Sequence, residues 1–293
     1  MAVATAEAEK SAAPPKRYPD GFWVVKDGIK LHYVHAGSGV PVILIHGARG
    51  SAIGSWFSNG IAPEIAKTNH VYALEMRGHG LSGGSNNGHG NMADDVIEFM
   101  DQMGIEKAHI GGYSMGGAIT LQVLMKAPER FITACFQGAG APETKAWRSK
   151  VPADVEGKDP DEDKANAIAA ERRAAKGEQV GNDFGHRMRE GKGPWFGGAA
   201  GRRARAAMME MQKRQEAQFA ELDLTKITFP VMSINGEFDR PNMRTHRFWR
   251  ELRNFTNLVL PGKGHLTAMM AGFIPDEYIR GYAAFITANN PRA

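Results

Sequence analysis

Apolar runs of strand length alternate along this chain with segments of helical periodicity, and this alternation limits the folds that the chain can adopt. A hairpin is predicted first, with strands at 22–26 and 29–34 around an Asp27-Gly28 turn. Later strands are predicted at 40–46, 70–76, 107–112, 131–137, 231–235 and 257–260, and helices at 61–67, 92–103, 116–126, 243–253 and 275–289. The sequence therefore predicts an α/β fold: a mostly parallel central sheet flanked by helices, with the hairpin as its antiparallel edge.

The alternation stops between residues 141 and 223, where no strand is predicted. Helix-like segments at 161–176 and 202–222 are joined there by a glycine-rich loop. We predict that 141–223 form a helical lid inserted into a core made of residues 20–140 and 224–293. A peripheral helical layer with solvated charges is the alternative.

The first 19 residues are rich in Ala, Pro and charge and lack apolar periodicity, which is typical of a disordered leader. They contain no apolar signal-peptide region, although residues 2–6 resemble the small-residue end of a cleaved signal. The compartment therefore stays open between the cytoplasm and export. The longest apolar runs are far shorter than the ~20 residues of a membrane span. The net charge of +4 is too small a bias to indicate nucleic-acid binding.

The chain contains a single cysteine, Cys135, which excludes an intrachain disulfide and a cysteine-based metal site. Cys135 lies in the apolar run 131–136, so we expect a buried, unreactive thiol. No metal, nucleotide or flavin motif is evident, and the sequence predicts no cofactor.

A serine stands in the turn Gly112-Tyr113-Ser114-Met115-Gly116, between a predicted strand and a predicted helix. A serine hydroxyl becomes a strong nucleophile only when a base removes its proton and the backbone presents it to the substrate. The Gly-x-Ser-x-Gly elbow does this by placing the serine in a strained turn, where glycines on either side leave room. The pattern predicts Ser114 as a nucleophile.

Three segments together resemble the α/β-hydrolase superfamily. They are 42–47 (VILIHG), 76–82 (MRGHGLS) and 112–117 (GYSMGG), and they occur in the order and at the spacing usual for that family. The resemblance covers about 22–140 and 224–289 and does not extend to the predicted lid. It implies the α/β-hydrolase fold and hydrolysis through a covalent serine intermediate.

The resemblance also implies the partners of the serine. His265 stands in a glycine-flanked loop after the last strand, where the family has its catalytic histidine, and the chain order Ser, acid, His agrees. Asp239 follows the strand at 231–235, which is the family position of the acid, and Glu237 is the nearby alternative. Some relatives carry the acid after the preceding strand, but here no carboxylate follows that strand before Glu143. Asp239 is therefore the predicted acid.

The negative charge that develops on an attacked carbonyl oxygen needs preorganised N–H donors. The resemblance implies the backbone N–H groups of Met115 and Ala48 as this oxyanion hole. Met115 also lies at the start of a predicted helix, whose dipole favours an anion. Arg49 departs from the small or apolar residue that many relatives have nearby. We expect it to face solvent rather than to contact an acidic substrate.

Methionine and aromatic residues supply candidates for an apolar pocket wall, since such side chains adapt to varied ligands. The predicted wall consists of Trp195, Phe196, Met208, Met209 and Met269, with Met211 and Met270 nearby. Ordinary packing is the alternative for all of them.

These features predict a serine hydrolase that cleaves a carboxylic ester of a small apolar or aromatic substrate through an acyl-enzyme. A lactonase and a carbon–carbon bond hydrolase of the same fold remain alternatives, because Ser-Met-Gly-Gly also occurs in those groups. The serine argues against epoxide hydrolases and haloalkane dehalogenases, which use an aspartate at the elbow. A ligand receptor without turnover is the alternative from another class. The expected partner is a small-molecule substrate, and the oligomeric state is open.

Overall fold

The protein is described by a computed structural model that covers residues 17–84, 92–142, 219, 222–239 and 245–292. Within these residues, eight strands form one sheet in the order β1-β2-β4-β3-β5-β6-β7-β8. The strands are β1 (Asp20–Val24), β2 (Lys30–Ala36), β3 (Pro41–Ile45), β4 (His70–Glu75), β5 (Ala108–Tyr113), β6 (Phe131–Gln137), β7 (Val231–Gly236) and β8 (Phe255–Leu260).

The pairing within the sheet confirms the predicted α/β fold. Strands β1 and β2 form an antiparallel hairpin, β2 pairs antiparallel with β4, and all pairings from β3 to β8 are parallel. The predicted first strand extends too far, because Val25 belongs to the turn: its N–H donates to Ile29 O and its carbonyl accepts from Gly28 N.

Five α-helices lie among the described residues: α1 (Ile61–Ile65), α2 (Met92–Gln102), α3 (Met115–Lys126), α4 (His246–Glu251) and α5 (Asp276–Ala288). Helix α1 ends earlier than predicted, since Thr68 and Asn69 both turn their N–H groups back to Ile65 O. A short π-helix at Ile53–Phe57 and 3₁₀ turns at Pro128–Arg130 and Leu224–Lys226 were not predicted.

The core lies on both faces of the sheet. In β3, Ile43 and Ile45 belong to one apolar cluster while Val42 and Leu44 belong to the other, and all four are fully buried. Alternate residues of a strand face opposite sides, so a continuous apolar run is what a doubly covered parallel strand requires. Helices α2, α3 and α4 cover one face, and α1 and α5 cover the other.

Cys135 belongs to the cluster beneath α1 and α5 and is fully buried. Burial raises the pKa of its thiol well above the usual range. A buried thiol that resists ionisation is a poor nucleophile, in agreement with the prediction.

The two ends of the predicted lid meet at one buried guanidinium. Arg247 in α4 donates to Pro142 O at 2.8 Å and to Phe219 O at 2.7 Å, and it also donates to Leu222 O. One of these carbonyls precedes the segment 143–218 and two follow it, so Arg247 holds the two ends of that segment together. The predicted lid helices at 161–176 and 202–222 lie almost wholly outside the described residues.

The end of the predicted leader contacts the domain. Tyr18 packs on Phe57 with ring centroids 4.2 Å apart, and Pro19 O accepts from His35 N at 2.9 Å. Residues 1–16 lie outside the described part of the chain. No helix in that described part has the length and apolar composition needed to cross a membrane.

Candidate active site

The predicted elbow is a sharp turn between β5, which ends at Tyr113, and α3, which begins at Met115. Ser114 has φ 53° and ψ −109°, a conformation that is costly for a residue with a side chain. Its N–H donates to Gln137 O at 2.8 Å, which anchors the turn to β6. The surroundings hold Ser114 in a strained conformation, and its side chain is only partly buried.

Glycines are required on both sides of Ser114 because backbone atoms approach them closely. A Cβ atom on Gly112 would collide with Gly116 O, and one on Gly116 would collide with Ile45 O in β3. The two glycines of the motif therefore allow β3, β5 and the start of α3 to pack against one another.

Three side chains from three loops converge at the elbow. His265, in the loop after β8, places Nε2 at 3.0 Å from Ser114 Oγ and Nδ1 at 2.8 Å from Asp239 Oδ2. Both distances are within hydrogen-bond range. If Nδ1 carries the proton and donates to Asp239, Nε2 is free to accept from the serine hydroxyl. The predicted serine, histidine and aspartate are thus brought together in one hydrogen-bonded chain.

The two candidate carboxylates after β7 have different partners. Asp239 is buried and is the one that hydrogen-bonds the imidazole of His265. Glu237 Oε2 accepts from Gly262 N at 2.8 Å, in the loop that leads to His265. Asp239 therefore contacts the histidine directly, while Glu237 braces the loop that carries it.

Two other histidines near the sheet are held neutral by burial. The pKa of His46 is lowered to about 4 by its burial, and the pKa of His109 is lowered to about 4 for the same reason. His109 bonds Thr133 Oγ1 at 2.8 Å and Asn290 Oδ1 at 2.9 Å, so both of its ring nitrogens are engaged. Neither ring is available as a base for Ser114.

His46 orients the peptide that leads to Ala48. Because His46 Nε2 accepts from Met76 N at 3.0 Å, its proton is on Nδ1, which donates to Gly47 O at 2.7 Å. The carbonyl and N–H of a trans peptide point in opposite directions, so this bond turns the Ala48 N–H away from His46. A Cβ on Gly47 would lie 3.4 Å from Ser114 Cβ, which places this peptide beside the serine.

Met115 supplies the second predicted N–H donor at the start of α3. The first N–H groups of a helix lack intrahelical acceptors and carry the positive end of its dipole. The oxyanion hole formed by the N–H groups of Ala48 and Met115 stays a prediction.

The predicted pocket wall is only partly within the described residues. Met269 is buried: its Sδ lies 3.3 Å from the hydroxyl of Tyr278, and its carbonyl accepts from Asn59 Nδ2 at 3.0 Å. This favours ordinary packing over a wall position for Met269. Met270 is exposed, as is Arg49. Trp195, Phe196, Met208, Met209 and Met211 lie outside the described residues.

Sequence reasoning missed two residues that shape the site. The Gly-x-Ser-x-Gly pattern leaves position 113 variable, yet the ring of Tyr113 stacks on His265. Glu75 accepts from Ala52 N at 3.0 Å and from Leu81 N at 2.7 Å, and so joins the loop after β3 to the segment 76–82. A carboxylate at the end of a buried strand, followed by a glycine-rich turn, was the available signal for Glu75.

A family model described as alpha/beta hydrolase fold matches residues 40–269. With the sheet order and the elbow already established, the chain belongs to the α/β-hydrolase family. Most of the matched range lies in the described core.

Among relatives, the chain is 36% identical over 131 residues to the dihydrolipoyllysine-residue acetyltransferase component of the acetoin cleaving system of Cupriavidus necator, covering 44% of this chain and 33% of that protein. It is 31% identical over 130 residues to the 2-hydroxymuconate semialdehyde hydrolase of a Pseudomonas species. This match covers 43% of this chain and 46% of that hydrolase. The matches thus span less than half the length of these relatives.

A solved meta-cleavage product hydrolase from Pseudomonas fluorescens superposes with a TM-score of 0.60 at 23% identity, covering 90% of this chain and 96% of that one. At that identity the similarity establishes the shared fold alone.

Proposed function

We propose that this chain hydrolyses a carboxylic ester of a small apolar or aromatic substrate through an acyl-serine intermediate. The observation that carries the proposal is the imidazole of His265, placed between Ser114 Oγ at 3.0 Å and the buried carboxylate of Asp239 at 2.8 Å. A hydroxyl next to an imidazole acceptor whose other nitrogen faces a carboxylate is the arrangement that general-base activation needs.

In the first half of the reaction, Ser114 Oγ attacks the ester carbonyl carbon while His265 Nε2 takes the hydroxyl proton. The carbonyl oxygen becomes an oxyanion, which the N–H groups of Met115 and Ala48 stabilise. The tetrahedral intermediate then collapses, and the alcohol leaves with the proton returned by His265. Asp239 stabilises the imidazolium that exists between these two proton transfers.

In the second half, His265 removes a proton from water, and the resulting hydroxide attacks the acyl carbon. Collapse of this second intermediate returns the electron pair and the proton to Ser114 and releases the carboxylic acid. Neither half requires a metal or an organic cofactor.

The test is hydrolysis of short p-nitrophenyl esters by the wild type, Ser114→Ala and Ser58→Ala. Ser58 is an exposed serine at the end of the π-helix and serves as the matched control. We expect Ser114→Ala to lose at least about a thousandfold in kcat, and Ser58→Ala to stay within about twofold of the wild type. Full ester turnover by a pure, folded Ser114→Ala protein would refute the proposal.

Hydrolysis of a carbon–carbon bond in a ring-cleavage product is the second candidate. It is favoured by the 31% identity to a 2-hydroxymuconate semialdehyde hydrolase over residues that include nearly half of this chain. The same three side chains would serve, so the substrate has to separate the candidates. A panel of esters, lactones and vinylogous diketones, compared by kcat/KM, makes that separation, with Ser114→Ala as background.

A further inference from the structure

Tyr113 contacts the proposed base in two independent ways. Its ring stacks on the imidazole of His265, with centroids 5.0 Å apart and planes inclined by 26°. Its hydroxyl donates to the backbone carbonyl of His265 at 2.7 Å. One side chain therefore contacts both the ring and the main chain of the same histidine.

Tyr113 and His265 lie in different kinds of backbone structure. Tyr113 is the last residue of β5 and is paired with Gln137 of β6, in the centre of the sheet. His265 lies in the loop after β8, five residues beyond the last strand residue, Leu260. Tyr113 thus links the loop that carries His265 directly to the strand that carries Ser114.

Two glycines accommodate the stacked rings. A Cβ on Gly47 would lie 2.7 Å from Tyr113 Cδ1. A Cβ on Gly138, whose φ is +55°, would lie 3.0 Å from both Tyr113 Cε2 and His265 Cε1. The chain therefore has no side chain at either place where one would displace the pair.

We propose that Tyr113 is a positioning residue for His265: it fixes the imidazole in the orientation that bonds Ser114 on one side and Asp239 on the other. This inference rests on the proposed function, because it concerns the base of that reaction. Proton transfer in a hydrogen-bonded chain is sensitive to small displacements of its members, so a mobile His265 loop slows acylation even when every catalytic group is present.

The stacked ring also affects the charge on His265. The π face of an aromatic ring favours a cation placed over it, so Tyr113 stabilises the imidazolium form that arises during catalysis. Among the described residues of the His265 loop and of the loop after β7, the charged groups are Asp239, which bonds His265, Glu237, which bonds Gly262 N, and Lys263, whose Nζ donates to Phe273 O. Substitution of Tyr113 leaves these three unchanged.

The experiment compares Tyr113→Phe, which keeps the stack and removes the hydroxyl bond, with Tyr113→Leu, which removes both. Tyr33→Phe is the matched control, because Tyr33 lies in β2 and its hydroxyl faces Met103. The readouts are kcat/KM for a p-nitrophenyl ester across pH, the rate of inactivation by a serine-directed fluorophosphonate, and thermal melting.

We expect kcat/KM to fall about 3- to 10-fold in Tyr113→Phe, with the acidic limb of the pH profile unmoved. In Tyr113→Leu it should fall about 10- to 100-fold, and the acidic limb should move about half a pH unit lower, since the neutral imidazole is no longer disfavoured. Inactivation rates should fall in parallel, while Tyr33→Phe matches the wild type.

Folded Tyr113 variants that retain wild-type rates would overturn the inference. So would a loss in Tyr113→Leu without any movement of the acidic limb, because a purely structural role would produce that result. Failure of the proposed function has a different signature: the wild type itself would neither hydrolyse the ester nor react with the fluorophosphonate.

Discussion

Within the described part of the chain, two histidines are hydrogen-bonded to carboxylates, and they differ in the group that faces the second ring nitrogen. His265 has Asp239 on Nδ1 and the hydroxyl of Ser114 on Nε2. His32 has Glu75 on Nδ1 and Asp20 on Nε2, each at 3.0 Å. Both sites therefore have a carboxylate next to an imidazole.

The two sites differ in the group that faces the second ring nitrogen and in the exposure of that group to solvent. His32 is buried and closed by carboxylates on both nitrogens, so its bonds can only hold β1, β2 and β4 together. His265 presents its second nitrogen to the hydroxyl of Ser114 at a partly exposed turn. A buried His–carboxylate pair therefore holds strands together unless the second ring nitrogen faces a reactive group.

Exchange of each histidine for glutamine should separate the two sites most strongly. We expect His265→Gln to lower ester kcat/KM by about 10⁴-fold or more, with little change in melting, because the base is lost and the fold is not. His32→Gln should lower the melting temperature and leave kcat/KM of the folded protein within about threefold of the wild type. Equal losses of activity in the two folded variants would show that the two histidines do not differ in this way.

Removal of the negative charge at Asp239 is expected to have the next largest effect. Asp239→Asn should lower kcat by about 10²- to 10⁴-fold, because the amide can hold His265 in the wrong tautomer and cannot stabilise its imidazolium. Glu237→Gln is the matched control, since Glu237 bonds Gly262 N. Steady-state kinetics on one ester measure both, and a greater loss in Glu237→Gln would reassign the acid.

Removal of the negative charge at Glu75, the carboxylate that bonds His32, is expected to lower stability. Glu75 bonds His32 and the N–H groups of Ala52 and Leu81, so Glu75→Gln leaves buried partners unsatisfied and should cost about 3 kcal/mol in the free energy of unfolding. Urea denaturation gives that number directly. An unchanged denaturation midpoint would show that the network contributes nothing to stability.

The smallest expected effect concerns the pH dependence of stability, which comes from histidines that have no carboxylate partner. The folded pKa of His46 and of His109 is lowered to about 4 from 6.5, so the unfolded state binds more protons between these values. Stability should therefore fall as the pH drops from about 6.5 towards 4. His109→Gln removes the contribution of His109 to this pH dependence and leaves that of His46.

The wild type and His109→Gln should differ in their loss of stability between pH 7 and pH 5 by about 2 kcal/mol, with the variant less sensitive. Urea denaturation at both pH values measures this. Identical losses in the two proteins would mean that His109 is not held neutral in the folded state.

The sequence predicted the sheet well because its signals are local. Strand β6 was predicted with the bounds that the structure has, since an unbroken apolar run is buried on both faces. The elbow was predictable because its glycines recur at a fixed spacing around the serine; Gly112 is required by the approach of Gly116 O within the motif, and Gly116 by the approach of Ile45 O in β3. Helix ends were less accurate, as at α1, where backbone turns end the helix before its apolar pattern does.

Features that depend on contacts between distant residues were not predicted. The stack of Tyr113 on His265 joins residues 152 positions apart, and the Glu75–His32 bond joins residues 43 apart. No periodicity encodes such pairs, and the elbow motif tolerates many residues at position 113. The convergence of His265 and Asp239 on Ser114 was anticipated through family resemblance rather than through any local pattern.

Covalent labelling tests whether Ser114 is the activated nucleophile. A fluorophosphonate that phosphonylates activated serines should add one group per molecule of wild type, located by peptide mass spectrometry at Ser114. Ser114→Ala should take up none, and His265→Gln should react at least about a thousandfold more slowly. Ester turnover by a protein that remains unlabelled, or a label on another residue, would show that Ser114 is not the nucleophile.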